Sequence, residues 1–241
     1  MERTLLLQIA EWLAMLAVMM IAGMSARLKL RPLVFKYPRR EATVSLALFV
    51  LILIFAFLVF GGTVTGGQAS AAPGDLGQRL FVAAAAVLPF AAALLTRRQP
   101  VRSAGWGKDF LAGGIRVAAA LVFLTIFLTG SVFRLLAGLS TEDVSALVYL
   151  LLICLAEETI FRGYIQLRLE GWLGARYGWA AAAVLFTLFQ LPRLLLLPAE
   201  LPLQLGLTLV QGLVLGWVMR KSRHVAAPWL YRAVSEWLRW I

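Results

Sequence analysis

Residues 144–165 read VSALVYLLLICLAEETIFRGYI. The run is about as long as a helix needs to be to cross the hydrocarbon core, roughly 20 residues, yet it carries Glu157, Glu158 and Arg162 in its second half. An inert span has no use for three ionic groups, because each costs about 2.5 to 3.5 kcal/mol inside a bilayer. The stretch therefore reads as a transmembrane helix that carries part of a polar chamber. On helical spacing Glu158 and Arg162 lie four apart on one face and can pair, whereas Glu157 is turned by about 100° and faces something else. One carboxylate held by an arginine beside another left free is a division of labour suited to proton transfer with water. The same three residues also read as a self-neutralising group, or as two glutamates on a polar helix seam with Arg162 snorkelling to the interface.

The rest of the chain agrees with a membrane setting. Of 241 residues, 61% are hydrophobic and 15% charged, with a mean hydropathy of +0.85, outside the range of soluble domains. Apolar runs near 5–24, 42–61, 78–96, 110–130, 144–165, 179–197, 203–220 and 225–241 predict an all-α, polytopic bundle of about eight transmembrane helices. We expect a single transmembrane domain over 1–241, with the first run retained as a span. The 23 Lys and Arg outnumber the 12 Asp and Glu. They gather in alternate loops (Arg27 to Arg40, Arg97 to Lys108, Arg220 to Arg223), which is the pattern of loops facing the cytoplasm and anionic lipid, not of nucleic-acid binding. Residues 61–75 hold no Lys or Arg. This asymmetry places both termini outside the cytoplasm and suggests a bacterial inner membrane. The single cysteine, Cys154, excludes an internal disulfide.

Other polar residues inside apolar runs are Glu11, Gln190 with Arg193, Gln211, and Arg232 with Glu236. Glu11 reads as an interfacial side chain, and Gln211, among Gly206, Gly212 and Gly216, as a helix-to-helix hydrogen-bonding residue at a close-packed seam. Trp229, Trp237 and Trp240 read as an aromatic belt. Pro192 and Pro198 read as helix terminators, with Arg193 reaching the outer surface.

EETIFRG, residues 157–163, resembles the first motif, E-E-x-x-x-R, of the CAAX protease and bacteriocin-processing (CPBP) family of intramembrane glutamic endopeptidases. The likeness extends over 144–240. Motif one is complete in Glu157, Glu158 and Arg162. The second motif, F-x-x-x-H, is matched in VLFTLFQ by Phe186, with Gln190 at the histidine position. The third, P-x-x-x-H-x-x-x-N, is matched by Pro228, with Arg232 where histidine is expected and Glu236 where asparagine is expected. The resemblance implies a helical bundle acting on peptides or CAAX proteins, with a site opening toward the cytoplasm and built from Glu157, Glu158, Arg162, Gln190, Arg232 and Glu236. The only histidine, His224, lies eight residues before the relevant position and reads as a solvated loop residue at the headgroups.

These departures change the chemistry expected. Gln190 can hold a water but cannot accept its proton. Arg232, always charged, can donate to an oxyanion, form an ion pair with Glu236 on its own helix face, or reach Glu157 and close a charge network. Nothing points to a cofactor, and Glu157, Glu158 and Glu236 make a poor metal site. Three functions fit: a membrane endopeptidase with an altered site; an inactive relative that binds a peptide or membrane-protein partner within the lipid; or a small transporter with a buried charge path.

Overall fold

A computed structural model describes residues 12, 13, 15, 16, 20, 35–65, 76–196 and 200–240. Among the described residues from 38 on, nine α-helices follow one another: α1 Pro38–Thr65, α2 Leu76–Thr96, α3 Lys108–Leu128, the short α4 Val132–Leu136, α5 Thr141–Glu158, α6 Leu167–Leu173, α7 Ala175–Leu194, α8 Leu201–Ser222 and α9 Ala226–Trp240. A π-helical segment, Thr159–Gln166, joins α5 to α6, and a 3₁₀ turn, Val101–Ala104, precedes α3. There is no strand among the described residues. The chain is an all-α integral membrane protein.

Among the described residues, five stretches are long and apolar enough to cross a membrane: Pro38–Gly61, Leu76–Thr96, Val101–Leu128, Thr141–Leu173 and Leu201–Ser222. The sixth and eighth predicted runs are also helical, as α7 and α9. However, α9 is only 15 residues long and carries Arg232, Glu236 and Arg239, while α7 carries Arg176 and Arg193. Both bury mainly small and apolar side chains against other helices, with Gln190 of α7 and Arg232 of α9 buried among them. Of the predicted first run, Trp12 and Met15 pack against Leu121, Val214, Val218 and Tyr231. Glu11, Pro198 and most of the first basic loop lie outside the described residues.

α5 starts where a capping box puts it. The Ser140 hydroxyl accepts from the Asp143 N–H at 3.1 Å, and the Asp143 carboxylate accepts from the Ser140 N–H at 2.9 Å, so two orphan donors of the first turn are satisfied. Pro192 does not stop α7, which continues to Leu194. α9 packs against α5 and α3, α2 against α5, and α7 against α8. These contacts bring α2, α5, α7, α8 and α9 around one interior volume. A Cβ on Gly212 would press on Ala183, and one on Gly216 on Trp179, so the close α7/α8 seam needs small residues there. Gly206 faces open space and contributes nothing to it.

Two aromatic groups fix the site from below and beside. Phe161 makes edge contacts with Phe49 at 6.3 Å and Phe186 at 5.3 Å, locking the π segment to α1 and α7. The predicted tryptophan belt divides in two. Trp229 and Trp237 donate their indole N–H groups to the carbonyls of Leu151 and Asp143, both at 2.8 Å, and so fasten α9 to α5, while Trp240 is exposed. An indole N–H taken out of water needs such a partner.

Candidate functional site

The six residues singled out in the sequence come together from α5, the π segment, α7 and α9. Glu157 and Glu158 occupy the last turn of α5 and are 4% and 0% exposed. Arg232 enters from α9, 2% exposed, and each of its three nitrogens meets a different carboxylate. One terminal nitrogen lies 2.5 Å from Glu157 Oε2, the other 2.9 Å from Glu158 Oε1, and Nε is 2.8 Å from Glu236 Oε1. Gln190 of α7 donates its amide to Glu157 Oε2 at 3.0 Å. A planar guanidinium with donors in a fixed fork can make this three-way arrangement, which lysine could not.

Arg162 holds the other side of Glu158, with Nε 3.2 Å from Oε2. The contact is electrostatic: its alignment does not make a hydrogen bond, and all three Arg162 nitrogens lack a hydrogen-bond partner among the described residues. The aromatic ring of Phe186 compensates in part. It lies 4.7 Å from the Arg162 guanidinium carbon and 4.9 Å from that of Arg232, within the range of cation–π attraction. The expected i,i+4 pairs, Glu158 with Arg162 and Arg232 with Glu236, both form, and Arg232 also spans the bundle to both α5 glutamates.

A third arginine completes the network. Arg79 of α2 donates to Glu236 Oε2 at 3.0 Å. It went unremarked in the sequence because an arginine near the start of an apolar run looks like a flanking anchor. Three glutamates thus face three guanidiniums, from Arg79, Arg162 and Arg232. Every glutamate oxygen named in these pairs is turned toward a cation, and no group of three or more metal-ligating side chains is placed to share an ion among the described residues.

His224 is not a solvated loop residue. It is 2% exposed, its Nδ1 accepts from the Ala226 N–H at 3.0 Å at the start of α9, and its ring stands edge-on to Trp106 at 5.2 Å. Burial pushes its imidazole below the ordinary value of 6.5. Its Nδ1 caps the start of α9, and it makes none of the glutamates' ion pairs described above. Arg193 is also misjudged by the sequence: it is half-buried and lines the same cavity as Gln190 and Arg232, a space of about 380 Å³ that also takes in Gln211.

The π segment shapes this site. It widens the helix directly after the paired glutamates, and π turns often mark functional positions. Within it, a Cβ on Gly163 would strike the Ala104 carbonyl, so only glycine lets the 101–105 loop pack on the turn that carries Arg162.

Residues 140–238, from the cap of α5 almost to the end of α9, match the model of a family described as type II CAAX prenyl endopeptidase Rce1-like. That region, less than half of the chain, is similar to the Rce1-like family. No curated protein and no solved structure matches the chain. The Rce1-like region contains Glu157, Glu158, Arg162, Gln190, Arg232 and Glu236, whereas Arg79 is supplied from outside it.

Proposed function

We propose that this protein is a hydrolytically silent Rce1-like bundle that binds a peptide or membrane-protein segment in its intramembrane chamber. One observation carries the reading: the Arg232 guanidinium sits against Glu157, Glu158 and Glu236 at once. Peptide hydrolysis by a carboxylate needs a water held on an oxygen that can take its proton, and donors aimed at the oxyanion that develops on the carbonyl. Here Glu157 accepts from both Arg232 and Gln190, and Gln190 has no basic nitrogen to relay a proton. A substrate carbonyl reaches Glu157 only by displacing Arg232, which would leave buried Glu157 without a cation while Glu158 and Glu236 kept only Arg162 and Arg79. The chamber stays polar while its charges satisfy one another.

The test is a cleavage assay on the purified protein with prenylated and unprenylated peptides. The wild type is expected to give no turnover, and Gln190→His/Arg232→His/Glu236→Asn to gain it, with Glu157→Gln abolishing the gain. Wild-type turnover that is lost in Glu157→Gln or Glu158→Gln would overturn the proposal in favour of an active endopeptidase.

The charge distribution supports a bacterial inner-membrane protein forming one bundle, with both termini outside the cytoplasm. Lys36, Arg102, Lys108, Arg220 and Arg223 line a common recess at one end, while Leu76, Arg193, Gln204 and Trp240 line the cavity at the other. The positive-inside rule then directs the cavity outward, opposite to the side expected from the family resemblance. A cysteine introduced at Ser140 should react with an impermeant maleimide added to intact cells and one at Lys108 should not; the reverse pattern would invert the assignment.

A further inference from the structure

The cavity holds more positive charge than the chamber needs. The glutamates are matched one for one by Arg79, Arg162 and Arg232, yet Arg193 of α7 and Arg239 of α9 line the same space. Among the described residues neither joins an ion pair, and the Nε of Arg193 is buried with no hydrogen-bond partner. The nearby acid on α8's leading edge, Glu200, is exposed and takes the amide of Gln204. Thr208 and Gln211 add neutral polar groups from α8.

We infer that this end of the cavity is a binding site for a phosphate-class oxyanion, either free or carried on a lipid headgroup. Two guanidiniums outside the glutamate salt bridges, one half-buried and one exposed and converging from different helices, are suited to gripping a tetrahedral oxyanion, because each can donate two parallel N–H groups to it; Glu236, the acid that shares the space, is already held by Arg79 and Arg232. A space of about 380 Å³ admits a phosphate with a glycerol-sized substituent, and Leu76, Leu207 and Trp240 on its wall suit the carbon portion. The inference is independent of whether the chamber cleaves or binds peptide, since it concerns charges the glutamate network leaves over.

The experiment uses the full-length protein. In detergent, inorganic phosphate is titrated against chloride at equal ionic strength and the Tm is followed. In parallel, the protein is reconstituted in nanodiscs of phosphatidylglycerol or phosphatidylcholine, and retained lipid is read by native mass spectrometry. A free anion is indicated by a rise in Tm specific to phosphate, and a headgroup by selective retention of phosphatidylglycerol. In either case Arg193→Gln and Arg239→Gln should each weaken binding about tenfold, while Arg39→Gln, on the exposed start of α1, should leave it unchanged. If Arg193→Gln fails to fold, the exposed Arg239 decides alone. Absence of preference for both ligands, or preference that survives Arg239→Gln, overturns the site.

Discussion

Two buried arginine–carboxylate clusters lie in this bundle, and they are built in opposite ways. Around Arg232, one guanidinium serves three carboxylates. Around Glu41, one carboxylate serves two guanidiniums and an amide: Arg97 donates to both its oxygens, Gln99 donates at 2.8 Å, and Arg168 Nε stands 3.4 Å away. Arg168 spends its remaining donors on the carbonyls of Ser103 and Tyr164, both at 3.1 Å, and on Gln99. The Glu41 cluster fastens α1, α6 and the loop after α2, and Arg168 spends its hydrogen bonds on neutral acceptors, two backbone carbonyls and the Gln99 amide. The Arg232 cluster gathers ionic groups beside a cavity. A clamp dilutes its charge among carbonyls; a site concentrates it.

The sharpest way to break this contrast is to remove each hub. Arg232→Met should cost about 3 to 5 kcal/mol, since it leaves buried Glu157 with no cation and takes one from each of Glu158 and Glu236, and should show as a large fall in Tm or a failure to purify as a monodisperse protein. Arg168→Met should cost less, about 1 to 3 kcal/mol, because Glu41 keeps Arg97 and Gln99. If the two losses were equal in the same detergent, the distinction between hub and clamp would be wrong. The smallest effect belongs to His224, which lies in neither cluster. Its imidazole is held neutral by burial, so the unfolded chain takes up the proton first. Stability should therefore fall as pH drops below about 6.5 and level off below the depressed folded value, with a slope of at most about 1.4 kcal/mol per pH unit. Tm measured from pH 7.5 to 5 should lose this component in His224→Asn.

Much of this was legible in the sequence. Run length predicts the long apolar helices, and the four-residue spacings predict the pairs Glu158 with Arg162 and Arg232 with Glu236, because both signals are local. What escaped is non-local. Arg79 meets Glu236 across 157 positions of sequence, and nothing near either residue announces it. Glu41 and Arg168 each sit at the edge of an apolar run, where a charge ordinarily meets water; only the packing of α1 on α6 encloses them. His224 follows basic residues that face solvent, so its burial under Trp106 depends on a loop contact with no sequence period. The π segment likewise has no local signature; what the structure adds is that Gly163 within it accepts the neighbouring loop.

The three-pronged grip of Arg232 also ties positions 232 and 236 to each other. The resembled motif has a histidine and an asparagine where this chain has a cation at 232 and an anion at 236. With Arg232 holding Glu236 at 2.8 Å, removing either charge leaves the other with fewer partners: Glu236 with Arg79, or Arg232 with Glu157 and Glu158. The two positions are therefore energetically coupled, so exchanging both together should cost less than the sum of the single exchanges.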